Sequence, residues 1–171
     1  MGEPNLAEKG QLEVRRANAE DADAMHELYV DAAKWISAKG IRQWGEADFP
    51  KSYIEQFIRE KEVFVAVQNG ELAGCFSVQW DYETIWGEQF HEQAGYVHRL
   101  ATSRKFKGQA VGSQLLQWAE NYIKSKGKSW MRLDCMADNE SLNRYYLSQG
   151  LVYCGRHDDQ FWSANLYEKE L

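Results

Sequence analysis

One stretch in the middle of the chain, residues 93–119, contains no aspartate or glutamate, although the protein has a formal net charge of −6. It opens on an apolar run at residues 96–102, which predicts a β-strand, and continues through a basic loop around Gly108 to an amphipathic helix that begins near Ala110. Amide groups in a first helical turn lack intrahelical acceptors, and the helix dipole favours anions there. This strand–loop–helix unit therefore predicts a site for a phosphate-bearing ligand.

Length and composition set the broad class. A chain of 171 residues with 44% hydrophobic content predicts one packed domain, which we place at residues 11–171 after a loose leader at residues 1–10. The negative charge argues against nucleic acid as a partner, and no apolar run is long enough to span a membrane. Three widely spaced cysteines indicate free thiols in a reducing compartment, so we expect a cytoplasmic protein.

Hydrophobic periodicity predicts the element order β-α-α-β-β-β-α-β-α-β-β. The clearest local signal is Asn69-Gly70, a hairpin turn between strands at residues 63–68 and 72–80. Asn18 is predicted to cap a first helix with an apolar stripe, and Ser52 with Glu55 to form a capping box for a second. The predicted stripe consists of Ala24, Leu28, Ala32 and Trp35. We expect an α/β (α+β) fold, a single mixed, mostly antiparallel sheet with helices on both faces.

The loop at residues 107–112 matches neither common phosphate-binding motif. No Gly-Lys-Ser/Thr follows it, which excludes a P-loop, and GxGxxG is absent, which excludes a dinucleotide fingerprint. Small residues at Ala110 and Gly112 would let a pyrophosphate approach the backbone. An unrelated nucleotide-phosphate binder that uses the same helix N-terminus stays an alternative.

The strand end and the loop together resemble the acyl-CoA-binding core of the general N-acetyltransferase (GNAT) superfamily. In that family a Leu-Ala-Val-like strand end precedes Arg/Gln-x-x-Gly-x-Gly/Ala; here Lys107, Ala110 and Gly112 occupy the three pattern positions, with Lys for Arg/Gln and Ala for the first Gly. The resemblance implies acetyl-CoA as cosubstrate, bound by the strand end, the loop and two asparagines. These residues are Leu100, Ala101, Thr102, Lys107, Gly108, Gln109, Ala110, Val111, Gly112, Ser113, Asn139 and Asn143.

A second segment, residues 139–151, resembles the family's Asn-x-x-Ala-x-x-x-Tyr-x-x-x-Gly-Phe motif. The resemblance implies that Asn139 and Asn143 hydrogen-bond the cofactor arm and that Tyr146 is the general acid. The implied reaction transfers acetyl from acetyl-CoA to a primary amine of a small molecule or peptide. A non-catalytic acyl-CoA sensor of the same fold is the alternative.

The identity of the general base is open at this stage. His98 is the first candidate, because the period of two places it on the strand face of Leu100. Asp81, Glu83 and Glu92 are alternatives, and Cys135 would permit a covalent route. The histidines have no metal-ligand spacing, so no metal is expected.

The acceptor is predicted to enter beside residues 81–92, where carboxylates alternate with aromatic rings and no lysine or arginine occurs. Asp81, Glu83 and Trp86 are the candidate contacts for a cation with an apolar body, and Trp35 and Trp44 could join them. A solvated loop is the alternative interpretation. A homodimer is left open.

Overall fold

The structure is a computed structural model that describes residues 12–41 and 44–171; the predicted leader at residues 1–10 lies outside them. In this part of the chain the strands are β1 (Glu13–Arg16), β2 (Glu62–Gln68), β3 (Glu71–Gln79), β4 (Ala94–Thr102), β5 (Trp130–Met136), β6 (Val152–Asp158) and β7 (Ser163–Glu170). The helices are α1 (Ala22–Ala38), α2 (Lys51–Glu60), α3 (Glu83–Trp86), α4 (Val111–Ser125) and α5 (Glu140–Ser148).

The seven strands of the described residues form one sheet in the order β1-β2-β3-β4-β5-β7-β6. Every neighbouring pair is antiparallel except β4 and β5, which are parallel. A parallel pair needs a crossover, and α4 provides it. The predicted fold class, a mixed and mostly antiparallel sheet, is confirmed.

Helices cover both faces of this sheet, as predicted. On one face, α1 and α2 bury residues such as Tyr29 and Phe57 against Val65 and Cys75. On the other, α4 and α5 bury Leu115 and Tyr146 in a separate cluster that includes residues from β2 to β5. The strands between these clusters are apolar on both sides, which explains the nearly continuous hydrophobic runs of β2 and β3.

Two local predictions are confirmed by backbone geometry. Asn69 and Gly70 both have positive φ, 53° and 76°, as a two-residue type I′ hairpin requires. Asn18 caps the chain before α1, since its side chain accepts the Glu20 amide at 2.9 Å while Asp21 accepts the Asn18 amide at 2.8 Å.

Two others are wrong in detail. The cap of α2 is Pro50, which makes no side-chain cap, because α2 already begins at Lys51 and Ser52 lies within its first turn. The buried stripe of α1 includes Met25, Tyr29 and Ile36 rather than Ala24 and Trp35. Trp35 is 37% exposed, with the Lys39 ammonium 3.7 Å from its ring centroid. Alanines suit either face of a helix, so the larger side chains one position further along set its rotation.

No helix in the described residues has both the length and the apolar character needed to cross a lipid bilayer.

Candidate active site

The parallel strands β4 and β5 separate part way along their length. They pair only where Ala94–Tyr96 runs beside Trp130–Arg132, and both strands continue several residues further. A cleft of about 1890 Å³ opens where they part, bordered by residues from β4, β5, α4 and α5. The splayed strands thus create a deep concave site at the carboxyl ends of β4 and β5.

A β-bulge at Arg99 re-aims the side chains of β4 at this point. Ser77 pairs with His98 and Cys75 with Ala101, so two residues of β4 face one of β3, and Arg99 has φ +57°. The Tyr29 hydroxyl from α1 donates to the Arg99 carbonyl at 2.7 Å and holds the bulge.

This bulge corrects the expectation that His98 and Leu100 share a strand face. Leu100 packs against the core on the α4 side. His98 lies on the opposite side, beside Tyr53 and Phe57 of α2. Because an extra residue interrupts the period of two, residues two apart in sequence fall on opposite faces.

The anion cradle is built from the loop after β4 and the first turn of α4. Ala110 caps α4 in the left-handed conformation, with φ 54° and ψ 37°. The first helical hydrogen bond runs from the Gln114 amide to the Ala110 carbonyl at 3.1 Å, so the amides of residues 111–113 have no intrahelical acceptor. Six of the predicted loop residues border the cleft: Lys107, Gly108, Ala110, Val111, Gly112 and Ser113.

Gln109, the seventh predicted loop residue, differs. Its side-chain oxygen accepts a hydrogen bond from Gln68 of β2 at 3.1 Å, and Gln109 is not among the residues that border the cleft. Its side chain therefore stabilises the loop from behind.

The left-handed Ala110 carries a conformational penalty that glycine would remove. We expect Ala110→Gly to raise the free energy of unfolding by about 0.5–1 kcal/mol and Tm by about 1–4 °C. Gly108→Ala is the matched reverse change, since Gly108 has φ +84° with open space where a Cβ would lie, and it should lower Tm. Thermal unfolding of both variants measures this, and a lower Tm for Ala110→Gly would contradict the left-handed cap.

Two features favour glycine at position 112: the Tyr145 side chain leaves little room for a Cβ, and a pyrophosphate would have to approach the backbone there. A Cβ at Gly112 would lie 2.6 Å from the Tyr145 hydroxyl oxygen, which itself lies 3.2 Å from Ser113 Oγ. Tyr145 of α5 is thus held against the first turn of α4. The sequence interpretation, which assigned this space to a pyrophosphate alone, missed that contact.

The two predicted asparagines have structural partners. Asn139 is buried, and its side chain accepts the Leu142 amide at 3.2 Å as the cap of α5. Asn143 donates to the carbonyls of Met136 and Asn139 and accepts from Asn165 and Tyr167, which uses the full capacity of its amide. Neither borders the cleft, so the structure does not place their side chains where a cofactor arm could reach them.

Tyr146 and Cys135 lie side by side at the point where the strands part. Tyr146 is 5% exposed and borders the cleft; burial, together with nearby Cys135 and Asp134, raises the pKa of its hydroxyl well above the ordinary value. Burial also raises the pKa of the Cys135 thiol to about 12. A thiol with so high a pKa is a poor nucleophile near pH 7, which argues against the covalent route.

His98 and Asp134 both border the cleft and are candidates for the proton acceptor. His98 is largely buried, and its imidazole contacts the Tyr82 ring with 5.1 Å between centroids; burial and the nearby Arg99 lower its pKa to about 3. Asp134 of β5 borders the same part of the cleft, and burial raises its pKa to about 6 although His157 and Arg99 act in the opposite direction. A carboxylate that titrates near neutrality is better suited to exchange protons than an imidazole with a pKa of about 3.

The predicted acceptor loop reaches the cleft through other residues than expected. Asp81 and Glu83 are exposed and do not border it, whereas Tyr82 and Ile85 do. Trp86 is 2% exposed, packs in the core under the Arg132 guanidinium, 4.2 Å from the ring centroid, and does not border the cleft.

The cleft residues that the sequence interpretation missed include Asp134, the side chain of Arg99, and Tyr145. Asp134 had a signal, because a carboxylate in the middle of an apolar strand is expensive to bury and needs a reason. The sequence gives no signal for Arg99, because the direction of its side chain depends on the bulge in β4. Trp44, predicted as a contact, does border the cleft, and Trp35 does not.

The chain is similar in sequence to known acetyltransferases. A model of the acetyltransferase (GNAT) family matches residues 22–151. The chain is 36% identical over 159 residues to the Bacillus subtilis (strain 168) protein named uncharacterized N-acetyltransferase YesJ, covering 89% of this chain and 86% of that one. It is 26% identical over 143 residues to the aminoalkylphosphonate N-acetyltransferase of Salmonella typhimurium, covering 81% and 83%.

Among solved structures, the fold is similar to that of a GNAT-family acetyltransferase from Listeria monocytogenes. The TM-score is 0.77 at 30% sequence identity, and the match covers 94% of this chain and 95% of that chain.

Proposed function

The chain belongs to the acetyltransferase (GNAT) family, whose members are acetyl-CoA-dependent acyltransferases. From this premise we propose that it transfers acetyl from acetyl-CoA to the primary amine of a small molecule or peptide, by direct attack of the amine on the thioester. The observation that carries the proposal is the cleft between β4 and β5, which joins an anion cradle at one end to Tyr146 and Asp134 further in.

In this proposal the first turn of α4 receives the cofactor pyrophosphate. The amides of residues 111–113 donate to its oxygens, and Lys107 adds positive charge at the exposed rim. The strand end at Leu100, Ala101 and Thr102 supplies backbone donors for the thioester carbonyl, since β4 has no paired neighbour on its β5 side beyond Tyr96. Donors placed where negative charge develops are worth several kcal/mol in a buried site.

Tyr146 is the proposed donor to the leaving group. When the amine nitrogen forms its bond to the carbonyl carbon, the carbon–sulfur bond breaks and the CoA sulfur takes the electron pair. Its raised pKa keeps the Tyr146 hydroxyl protonated through the physiological range, so it can donate to that sulfur. The proton that the acylated nitrogen then releases restores the Tyr146 hydroxyl.

Asp134 is the proposed proton acceptor, with His98 as the alternative. An amine with a lysine-like pKa of ~10.4 costs roughly 4–5 kcal/mol to deprotonate at pH 7. The Asp134 carboxylate can bind the ammonium form and then take its proton, and its pKa of about 6 allows both states near neutrality.

The direct test is thiol release from acetyl-CoA in the presence of a panel of primary amines. Amine-dependent release supports the proposal. Tight CoA binding without release for any amine would favour the non-catalytic sensor instead, and stabilisation by ATP or NAD but not by acetyl-CoA would favour a nucleotide binder.

The three cysteines are free thiols, which fits the reducing conditions of the cytoplasm, where we place the enzyme.

The cradle can be tested through the contact between Gly112 and Tyr145. Gly112→Leu should abolish thermal stabilisation by acetyl-CoA, because the side chain displaces Tyr145 and fills the space in front of the first helical turn. At an acetyl-CoA concentration about 100 times its Kd, the wild type gains about 2.7 kcal/mol in the free energy of unfolding, and the variant should lose this gain.

A double variant separates the cradle from general damage. Gly112→Ala alone should weaken acetyl-CoA binding, whereas Gly112→Ala with Tyr145→Phe should recover part of it, because the nearest remaining ring atom would lie 3.4 Å from the new Cβ. Unchanged affinity in Gly112→Leu would show that the pyrophosphate binds elsewhere.

A further inference from the structure

Resting on the proposed function, we propose that the acceptor carries an oxyanion as well as its amine, and that Arg99 binds this oxyanion while Asp134 receives the amine. The substrate class is a small zwitterion or an amine bearing a carboxylate, phosphonate or phosphate. This differs from the sequence-based expectation of a cation with an apolar body at residues 81–92.

The Arg99 guanidinium is held against aromatic rings at the acceptor end of the cleft. Its central carbon lies 5.1 Å from the ring centroid of Phe49, 5.7 Å from that of Tyr53 and 6.0 Å from that of Trp44. Rings on these positions fix the planar group through cation–π contact without using any of its N–H donors. The fork of donors stays available for a ligand.

Arg99 has no acidic partner within residues 12–41 and 44–171, and its Nε is buried without a hydrogen-bond acceptor. The comparison with other arginines is direct: Arg132 pairs with Glu168 at 2.9 Å, and Arg15 pairs with Asp21 at 2.8 Å. A buried donor without an acceptor is costly, and a bidentate oxyanion would satisfy it.

Several other charged groups that border the cleft have partners within the described chain. Asp48 accepts the Gly45 amide at 2.8 Å, Asp159 accepts the Gln160 amide at 2.6 Å, and Arg156 pairs with Asp158 at 2.8 Å. Arg99 and Asp134 lie on the two strands that border the opening, and neither forms an ion pair with a described residue. A ligand with one charge of each sign complements them.

The backbone supports the same assignment. Regular alternation would turn the residue after His98 toward α4, but the left-handed Arg99 keeps its side chain on the acceptor side. A non-glycine residue in this region is strained, and such strain is retained where the surrounding structure holds it, here through the hydrogen bond from Tyr29.

The test compares matched acceptors that differ only in the anion. Glycine, β-alanine and 4-aminobutyrate are paired with their neutral carboxamides, and 2-aminoethylphosphonate and phosphorylethanolamine extend the series to phosphorus oxyanions. With acetyl-CoA saturating, we expect at least one anionic acceptor to exceed its neutral partner in kcat/KM by at least about tenfold. Calorimetric binding of the same compounds to the CoA-bound protein should show the same order.

Variants then assign the preference to Arg99. Arg99→Gln should remove the preference, which is measured as the ratio of kcat/KM for each anionic acceptor to that for its neutral partner within the same variant. The exposed Arg59→Gln, with the same charge change, should leave this ratio unchanged. If Arg99→Gln does not fold, Arg99→Lys keeps the charge over the rings but loses the fork, and it should lose part of the preference.

The outcomes are distinguishable. Absence of amine-dependent thiol release for every anionic and neutral acceptor, and for the wider panel of primary amines, would overturn the proposed function. Turnover of neutral amines with no advantage for anionic ones would overturn this inference and leave the function standing. A preference for anions that survives Arg99→Gln, or that Arg99→Lys leaves undiminished, would also overturn it.

Discussion

Replacement of Tyr146 with phenylalanine is expected to lower kcat by about 10²–10⁴, because the change removes the donor to the leaving sulfur. The ring stays in place, 5.7 Å from that of Tyr145 and 6.2 Å from that of Tyr167 between centroids, so packing and CoA affinity should be nearly intact. Single-turnover measurements, in which product release does not limit the rate, give the cleanest reading.

Tyr145→Phe is the matched control. It removes a hydroxyl from the adjacent residue, one that contacts Ser113 rather than the point where the strands part. Its effect should appear in CoA affinity and hardly in the chemical step. Wild-type single-turnover rates in Tyr146→Phe would show that another group, or water, protonates the sulfur.

Replacement of Asp134 with asparagine is expected to cost about 10²–10⁴ in kcat/KM at pH 7, because the variant keeps the shape of the side chain but cannot accept a proton. His157 and Arg99 lower the pKa of this carboxyl. The carboxylate in turn raises the pKa values of Tyr82, Cys135 and Tyr146. None of them forms an ion pair with it within the described residues, so its titration is governed mainly by burial.

The pH profile provides the specific signature. In the wild type, kcat/KM should rise with pH in the range near the Asp134 pKa of about 6, because the Asp134 carboxyl must be deprotonated to accept the proton of the amine. In Asp134→Asn this rise should disappear. His98→Asn is the matched comparison, and loss of the rise in that variant alone would make His98 the base.

Stability should change in the opposite direction to activity. The pKa of Asp134 is raised in the folded protein, so its charged form is disfavoured there. This carboxylate does not destabilise the folded state below the pKa of an unfolded aspartate, ~3.9, because it is protonated in both states. The destabilisation is complete above about pH 6. Asp134→Asn should therefore be more stable than the wild type at pH 7–8, by about 1–3 kcal/mol, and nearly equal to it at pH 3–4. Lower stability at pH 7 would contradict a desolvated carboxylate.

Much of the fold was predictable because its signals are local. The Asn69-Gly70 turn, the cap at Asn18 and the acid-free strand–loop–helix unit each depend on residues a few positions apart, and all three are present in the structure. Helix rotation was less predictable: alanines at positions such as Ala24 are compatible with either face, so larger side chains such as Tyr29 decided it.

The sequence by itself determined the order of the strands, the mixed sheet, the basic turn at the start of α4 and the place of Tyr146 on α5, but it missed the short helix α3 between β3 and β4. Only the tertiary structure decided the chemistry at the other end of the cleft. The Arg99 bulge depends on the pairing of β4 with β3 and on a hydroxyl 70 residues away, and it separates His98 from Leu100. The raised pKa of Asp134 likewise follows from burial between elements distant in the chain, and burial is set by packing, which no spacing of residues encodes.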